Sequence, residues 1–352
     1  MGSVKDLAIV KKPTIEKMGI GEFHFSDRYS IFDWGEMPDH IQAKGVALCL
    51  MGAYCFEKLE QTGIKTHYRG LVTQKGETVR LEELKIPTNI MEINLVNVIR
   101  PKEYMEAGKL RYDYTTINQN TKNFLIPLEI IYRNGIPEGS SILKRLEQRS
   151  TTPEDLGLDH YPRAGEKLAQ PIFDVSTKLE DRDRYLTWQQ AQQIAALTNM
   201  ETEQIKTLLS KIDNMITSHA ASAKLENEDG KIELAFDPER QLMVVDVVGT
   251  LDECRFTHKS IPVSKEIARQ YYRRTRWYQD MDEAKKKAEA KGVRDWKTLC
   301  KTQPPKLDQR LKTIIEEMYM ATANEITGHE FFDIHSLAQA LREYQDYLGE
   351  KS

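Results

Sequence analysis

One apolar helix set between strand-like segments constrains this chain more than any other feature. From Ile41 to Thr62 the residues Leu48, Met51, Cys55 and Leu59 recur at helical spacing, Ala47, Leu50 and Tyr54 widen the same face, and Gly63 supplies a stop. On either side, segments 20–34 and 66–100 mix Phe23, Phe25, Tyr68, Leu71, Val72, Val79, Ile93, Leu95 and Val98 with polar residues and with turn signals such as Lys75-Gly76, which reads as strands. A helix this apolar belongs to a core, and strands with one apolar face must cover it.

Further on, Phe124 to Tyr132 is an extended run that enters a Gly- and Ser-bearing turn at 135–141, and a polar connection follows over 148–171. Thr187 opens a helical stretch that reaches His219, with Ala191, Ile194, Ala195, Ile205, Leu208, Leu209, Ile212 and Ile216 on its face. Segments 231–236 and 242–248 form a strand pair around Asp237-Pro238, and from Ser264 onward the spacing predicts helices at 264–291, 307–327 and 333–348. Strands precede helices, so the class is α+β rather than a doubly wound sheet. The expected division is residues 1–122 as a mainly antiparallel-sheet lobe with one long helix, 123–260 as a central α+β lobe, and 261–352 as a helical extension.

Composition excludes several functions. No run of about 18 apolar residues exists to span a bilayer, no secretory signal is visible in Met1-Gly2-Ser3-Val4-Lys5-Asp6, and cytoplasmic residence is the expectation. A formal net charge of -4 argues against a general nucleic-acid partner, which needs excess cations to displace counterions. Cys49, Cys55, Cys254 and Cys300 contain no CxxC pair and are expected as reduced thiols. The run Lys285 to Lys287 lies among Asp282, Glu283 and Glu289 and reads as a solvated helix face.

Chemistry concentrates in Ile126-Pro127-Leu128-Glu129-Ile130-Ile131-Tyr132-Arg133-Asn134, followed by Gly139-Ser140-Ser141 and Lys144-Arg145. A strand that ends in Arg and enters a Gly-Ser turn with two more cations can offer guanidinium, hydroxyl and backbone N–H groups to one phosphate or carboxylate. By residue type alone it is equally a solvated basic turn. The segment resembles the SAICAR synthetase family pattern of Pro-x-Glu, apolar residues, Arg, Gly-Ser and Lys-Arg, and other blocks follow in the family's order. Ser30-Ile31-Phe32-Asp33-Trp34 is similar to Ser-Ala-Phe-Asp-Gly, and Lys44-Gly45, a helix, then Gly63-Ile64-Lys65-Thr66-His67 is similar to Lys-Gly, helix, Gly-Ile-x-Thr-His. Asp174 to Asp183 resembles a Thr-Lys block with acids behind it, Lys224-Leu225-Glu226 a Lys-x-Glu motif, and Asp246 to Phe256 the block Asp-Glu-Ile-Gly-Thr-Pro-Asp-Ser-x-Arg-Phe.

The resemblance implies a two-lobed fold with an ATP-grasp-like nucleotide cleft. It also implies a ligase of purine biosynthesis that uses ATP and Mg²⁺ to join L-aspartate to carboxyaminoimidazole ribonucleotide through an acyl phosphate. On this pattern Arg133, Ser140, Lys144 and Arg255 bind the ribonucleotide, while Asp183, Lys178 and Lys224 stand at the reacting groups. Glu226 and Asp246 bind Mg²⁺; Gly2, Lys5, Lys122 and Lys178 meet ATP phosphates, and the backbone near Leu125 meets adenine. The phosphate-covering glycine loop has two placements, Gly2 to Leu7 and Gly19-Ile20-Gly21. Departures are Leu48 for an Asn, Ser222 for the Asp two residues before Lys-x-Glu, Val247 for a Glu, a long stretch from Asn227 to Leu242, and an extension beyond Arg255. The departures leave open a related ATP-using ligase or phosphotransferase, or a non-catalytic nucleotide-binding protein, and the extension offers a surface for a homo-oligomer.

Overall fold

A computed structural model describes residues 4–263 and 265–351. The first sheet has five antiparallel strands in the order β1-β2-β5-β3-β4, built from β1 (Lys5–Lys11), β2 (Gly19–Phe25), β3 (Tyr68–Val72), β4 (Thr78–Val79) and β5 (Ile90–Leu95). Helix α1 (Lys44–Gln61) crosses it and buries Leu48, Leu50, Met51, Phe56 and Leu59, each contributing about 1.5–3 kcal/mol. Its start is unusual. Ala43 is left-handed and offers no cap, so Asp27 reaches across to accept the N–H groups of Ala43 (3.2 Å) and Gly45 (3.0 Å). Gly45 allows this approach, because a Cβ there would lie 2.8 Å from the Phe25 carbonyl oxygen.

After the free-standing hairpin of β6 (Lys102–Glu106) and β7 (Lys109–Asp113), the chain enters a second antiparallel sheet. Its strands are β8 (Phe124–Ile136), β9 (Glu166–Thr177), β10 (Glu226–Phe236), β11 (Leu242–Val245), β12 (Cys254–His258) and β13 (Ile261–Pro262). Their order is β13-β12-β10-β8-β9, with β11 beside the far end of β10. Helices α2 (Ser141–Glu147), α3 (Trp188–Ala195) and α4 (Asn199–Ser222) lie between β8 and β10 in sequence; α3 and α4 cover one face of this sheet. Two short parallel bridges stitch the sheets together. Thr66 meets Val244, with His67 N–H donating to Val244 O at 3.0 Å; Asn97 meets Phe124, with Leu125 N–H donating to Asn97 O at 2.8 Å.

The remaining helices are α5 (Glu266–Arg273), α6 (Arg276–Lys291), α7 (Gln309–Thr327) and α8 (Leu337–Lys351). Mixed helix and sheet agree with the α+β expectation, but several boundaries move. The stretch predicted as one helix from Thr187 to His219 is two, because Ala196 turns left-handed (φ 49°) and Thr198 opens α4 with a reciprocal cap to Glu201. The 264–291 helix also breaks, at Thr275, whose hydroxyl caps Tyr278 N–H. The strand predicted over 20–34 ends at Phe25. Among the described residues no helix is long and apolar enough to cross a membrane, and all four cysteines are free.

One buried cluster joins α1, the loop after β11 and α7. Lys44, with no exposed surface, donates to Asp252 Oδ2 at 2.8 Å, while Tyr319 of α7 donates to Asp252 Oδ1 at 2.7 Å. Breaking such a pair strands a buried charge. Lys44→Met should therefore lower the unfolding free energy by about 3–5 kcal/mol in chemical denaturation. Adding Asp252→Asn should recover much of that loss.

Candidate active site

The pleat of β10 organises the site. Asp229, Lys231, Glu233 and Ala235 alternate with Gly230, Ile232, Leu234 and Phe236, so one set faces the cleft and the other faces the core under α3 and α4. Register extends the row sideways. Asp229 stands opposite Arg133 of β8 and Arg255 of β12; Lys231 opposite Ile131; Glu233 opposite Glu129 of β8 and Val245 of β11. Along about 20 Å of strand, at some 3.3 Å per residue, the surface passes from guanidinium groups, through mixed charge, to an apolar patch.

At the guanidinium end, buried Arg133 donates to Asp174 (3.1 Å), Asp229 (3.3 Å) and Ser141 Oγ (2.9 Å). Arg145 shares Asp174 and stacks 4.0 Å over Tyr185, and Arg255 lies 3.3 Å from Asp229. Three guanidinium groups thus share two carboxylates. Ser140 Oγ, Arg145 Nε and Arg255 Nη1 are buried without a partner, donors that an anion could satisfy. Gly139, at φ 74°, lets the Arg273 guanidinium approach, since a Cβ there would lie 2.9 Å from it. Lys144 is exposed on α2.

In the middle, Lys231 lies 3.0 Å from Glu129 and 3.5 Å from Glu253. Those two acids, with burial opposing them, hold its ammonium well above the usual range. Asp183 keeps an exposed edge at the surface while its carboxyl group is partly enclosed beside this group of charges. Burial and Glu129 raise its carboxyl to about 6, against the pull of Lys231 and Lys178.

Next comes a tight ionic centre. Lys178 pairs with Glu233, and Lys5 of β1 lies 2.8 Å from Asp246 Oδ1. Burial and the neighbouring Asp246 push Glu233 up to about 7; Lys5 and Lys178 overcome burial to hold Asp246 down at about 2. Beyond it, Leu125, Ala235, Met243 and Val245 form an apolar patch separate from the main core, with Met18, just before β2, and Val96, just after β5, against it.

Several expected site residues lie elsewhere. Lys224 is exposed beyond the end of α4, and Glu226 pairs with Lys167 at the opposite end of β10, seven residues from Glu233. Glu226 and Asp246 therefore do not meet; the carboxylate beside Asp246 belongs to Glu233. Lys122 pairs with Glu16 at 2.9 Å, near the apolar patch rather than the ionic centre, and the Leu125 N–H is already bound to Asn97, leaving its side chain as the wall. Gly2 lies outside the described residues. Gly19 and Gly21 are inside β2, packed against the β1 backbone, not in a loop.

A second Lys-x-Glu was present in the sequence. Lys231-Ile232-Glu233 has Asp229 two residues before it, where Lys224-Leu225-Glu226 has Ser222. With that placement the departure at Ser222 and the overlong stretch before Leu242 both disappear. Leu48 and Val247 are buried in the core, Val247 against Gly52 of α1, so neither faces the cleft. A separate groove of about 810 Å³, lined by Tyr104, Tyr112, Tyr114 and Ile194, lies between the β6–β7 hairpin and α3 and holds none of these groups.

The sequence profile of the SAICAR synthetase family matches residues 14–291. The chain belongs to the SAICAR synthetase family. A relative from Archaeoglobus fulgidus, provisionally named phosphoribosylaminoimidazole-succinocarboxamide synthase, is 48% identical over 348 residues, covering 99% of this chain and 100% of its own. The synthase of that name from Thermoplasma acidophilum is 30% identical over 88% of this chain and 93% of its own. Among solved structures, a SAICAR synthase from Saccharomyces cerevisiae complexed with SAICAR superposes with a TM-score of 0.61 at 18% identity, covering 94% of each chain. A type-2 SAICAR synthetase in complex with ADP gives 0.56 at 18% identity over 94% of this chain and 97% of its own. These two likenesses establish the shared fold. The relatives' lengths also place the helical extension within the family, since the Archaeoglobus protein matches this chain almost throughout.

The arginine cradle yields a direct expectation. Arg255→Ala should weaken binding of a phosphate-bearing ribonucleotide by roughly 10-fold or more, the size of one lost charge-assisted hydrogen bond, in a calorimetric titration; unchanged affinity would place the anion elsewhere.

Proposed function

We infer that the chain is a cytoplasmic, ATP-dependent ligase that joins L-aspartate to the carboxylate of carboxyaminoimidazole ribonucleotide, releasing SAICAR, ADP and phosphate. The observation that carries this reading is the row Asp229, Lys231, Glu233, Ala235. It sets an anion cradle, a lysine-rich centre and an apolar patch in line on one sheet face, the order needed by a phosphorylated acceptor, the transferred phosphoryl group and a nucleobase.

A carboxylate resists attack by an amine until one oxygen is made a leaving group. The acceptor's carboxylate oxygen attacks the γ-phosphorus of ATP, the bond to the ADP oxygen breaks, and an acyl phosphate forms. The aspartate nitrogen then attacks the carbonyl carbon, phosphate leaves with the former carboxylate oxygen, and the nitrogen sheds a proton. Arg133, Arg145, Arg255 and Ser140 hold the ribonucleotide phosphate by charge-assisted hydrogen bonds. Lys231 orients the reacting carboxylate, and Lys178 and Lys5 offset charge on the moving phosphoryl group. Asp183 is the group that accepts the proton from nitrogen, because an acid raised to about 6 is ionised at neutral pH yet still basic enough for the task. Leu125, Met243, Val245, Met18 and Val96 sandwich the adenine.

Mg²⁺ fits the ionic centre. Glu233 and Asp246 offer hard oxygen donors so close that one raises the other's affinity for a proton, and the ammonium groups of Lys5 and Lys178 stand in for a cation between them. Glu233 and Asp246 would hold the ion, which supplies charge neutralisation on the ATP phosphates.

The decisive assay supplies ATP, Mg²⁺, L-aspartate and the carboxylated ribonucleotide. ADP release must depend on both other substrates; release that ignores either one defeats the reading. Two variants locate the chemistry. Glu233→Gln should raise the Mg²⁺ concentration needed for half-maximal rate by at least 10-fold, whereas Glu226→Gln should leave it alone. In a pH profile of kcat/KM the rate should fall as pH drops through about 6, where Asp183 takes up its proton. Asp183→Asn should be slow throughout and lack that limb.

A further inference from the structure

Asp246 reaches the cleft against the alternation of its own strand. Met243 and Val245 of β11 face the apolar patch of the cleft, and Val244 faces the main core. Continued pleating would send residue 246 toward the core with Val244. Instead Asp246 adopts φ 62°, in the left-handed region that few residues with a Cβ enter and that Asp enters more readily than most. That turn redirects the carboxylate toward Lys5 and lets Val247 take the core position.

The group that holds the turn comes from the other sheet. His67, buried and placed by the Thr66–Val244 bridge, has its Nε2 3.1 Å from the Asp246 backbone oxygen. A carbonyl oxygen can only accept, so Nε2 carries the proton. That N–H is directed at the backbone of the turn itself, not at the Asp246 carboxylate. Phe23 and Phe56 meet the ring edge-on, with centroids 5.8 and 5.3 Å away. Phe23 in turn lies 5.0 Å below the Lys5 ammonium. Lys5, Phe23, His67 and Asp246 thus close a ring of four contacts that returns to Lys5 at 2.8 Å.

We propose that His67 is a positioning residue, fixing the Asp246 backbone so that its carboxylate serves the metal and, through Phe23, setting the height of Lys5 above it. The proposal rests on the reading of Glu233 and Asp246 as the Mg²⁺ carboxylates. His67 touches neither metal nor nucleotide, and acts through the carbonyl of one ligand and the ring beneath one lysine. Outer partners of this kind change metal affinity by about 10–100-fold.

Calorimetric titrations with ADP, in Mg²⁺ and again in EDTA, test it without turnover. The quantity compared is the ratio of the two affinities. His67→Phe keeps an aromatic ring beside Phe23 and Phe56 but has no donor; its ratio should shrink by about 10–100-fold while ADP binding in EDTA stays near that of the parent. His67→Gln can still donate an N–H and should recover most of the ratio. Simple loss of stability would weaken both titrations together and would not be rescued by Gln. If His67→Phe does not fold, His67→Met serves as the donor-free variant. A His67→Phe or His67→Met ratio within twofold of the parent overturns the proposal. Asp246→Asn separates the two claims. If it abolishes the Mg²⁺ effect while the His67 variants do not, the metal site stands and the positioning role falls; if it leaves the effect intact, the metal assignment fails and the proposal with it.

Discussion

Everything in the cleft depends on the two-residue period of β10. A strand has two faces, and this one gives Ile232, Leu234 and Phe236 to the core while Asp229, Lys231, Glu233 and Ala235 line the opening. The core half fixes register, because a slip of one residue would push three charged groups under α3 and α4. The charged half is therefore as rigid as the hydrophobic packing behind it. Side chains on β8, β9, β11 and β12 take their places relative to that row through the same hydrogen-bond ladder.

Burying so many charges is tolerable only because each has a counter-charge. Arg133, Arg145 and Arg255 share Asp174 and Asp229; Lys231 sits between Glu129 and Glu253; Lys5 and Lys178 face Asp246 and Glu233. The balance is local. Arg133 is fully engaged by protein groups, whereas Arg145 Nε and Arg255 Nη1 keep buried donors without a partner, which the proposed anion would satisfy.

Sequence made the elements with strong periodicity legible: α1, the β8 run, the β10–β11 pair and the C-terminal helices. It also contained the helix breaks, since Thr198 with Glu201 is a capping box inside an apolar pattern that looks continuous. Site residues on a single ordered motif, such as Arg133, Arg255, Lys178 and Asp246, came together in the structure. Glu226 and Lys224 did not, because two Lys-x-Glu triplets stand seven residues apart and only strand register tells which one faces the cleft. His67 stood out only as part of the Gly-Ile-x-Thr-His block, with no role attached: a histidine after a threonine says nothing about the Asp246 carbonyl until both sheets are in place.

The Lys44–Asp252–Tyr319 cluster has a consequence for how the chain is made. Tyr319 lies 67 residues after the aspartate it hydrogen-bonds, and α7, which carries it, also packs on α1 near the beginning of the chain. A nascent chain that has emerged only as far as β13 already contains the strands of both sheets and every side chain of the proposed site. Yet Asp252 then lacks its hydroxyl donor, and the apolar side of α1 that α7 covers faces water. The strands of the cleft are thus synthesised before the helix that covers α1. Until that helix is made, the partial chain carries the kind of exposed apolar surface that makes folding intermediates prone to aggregate.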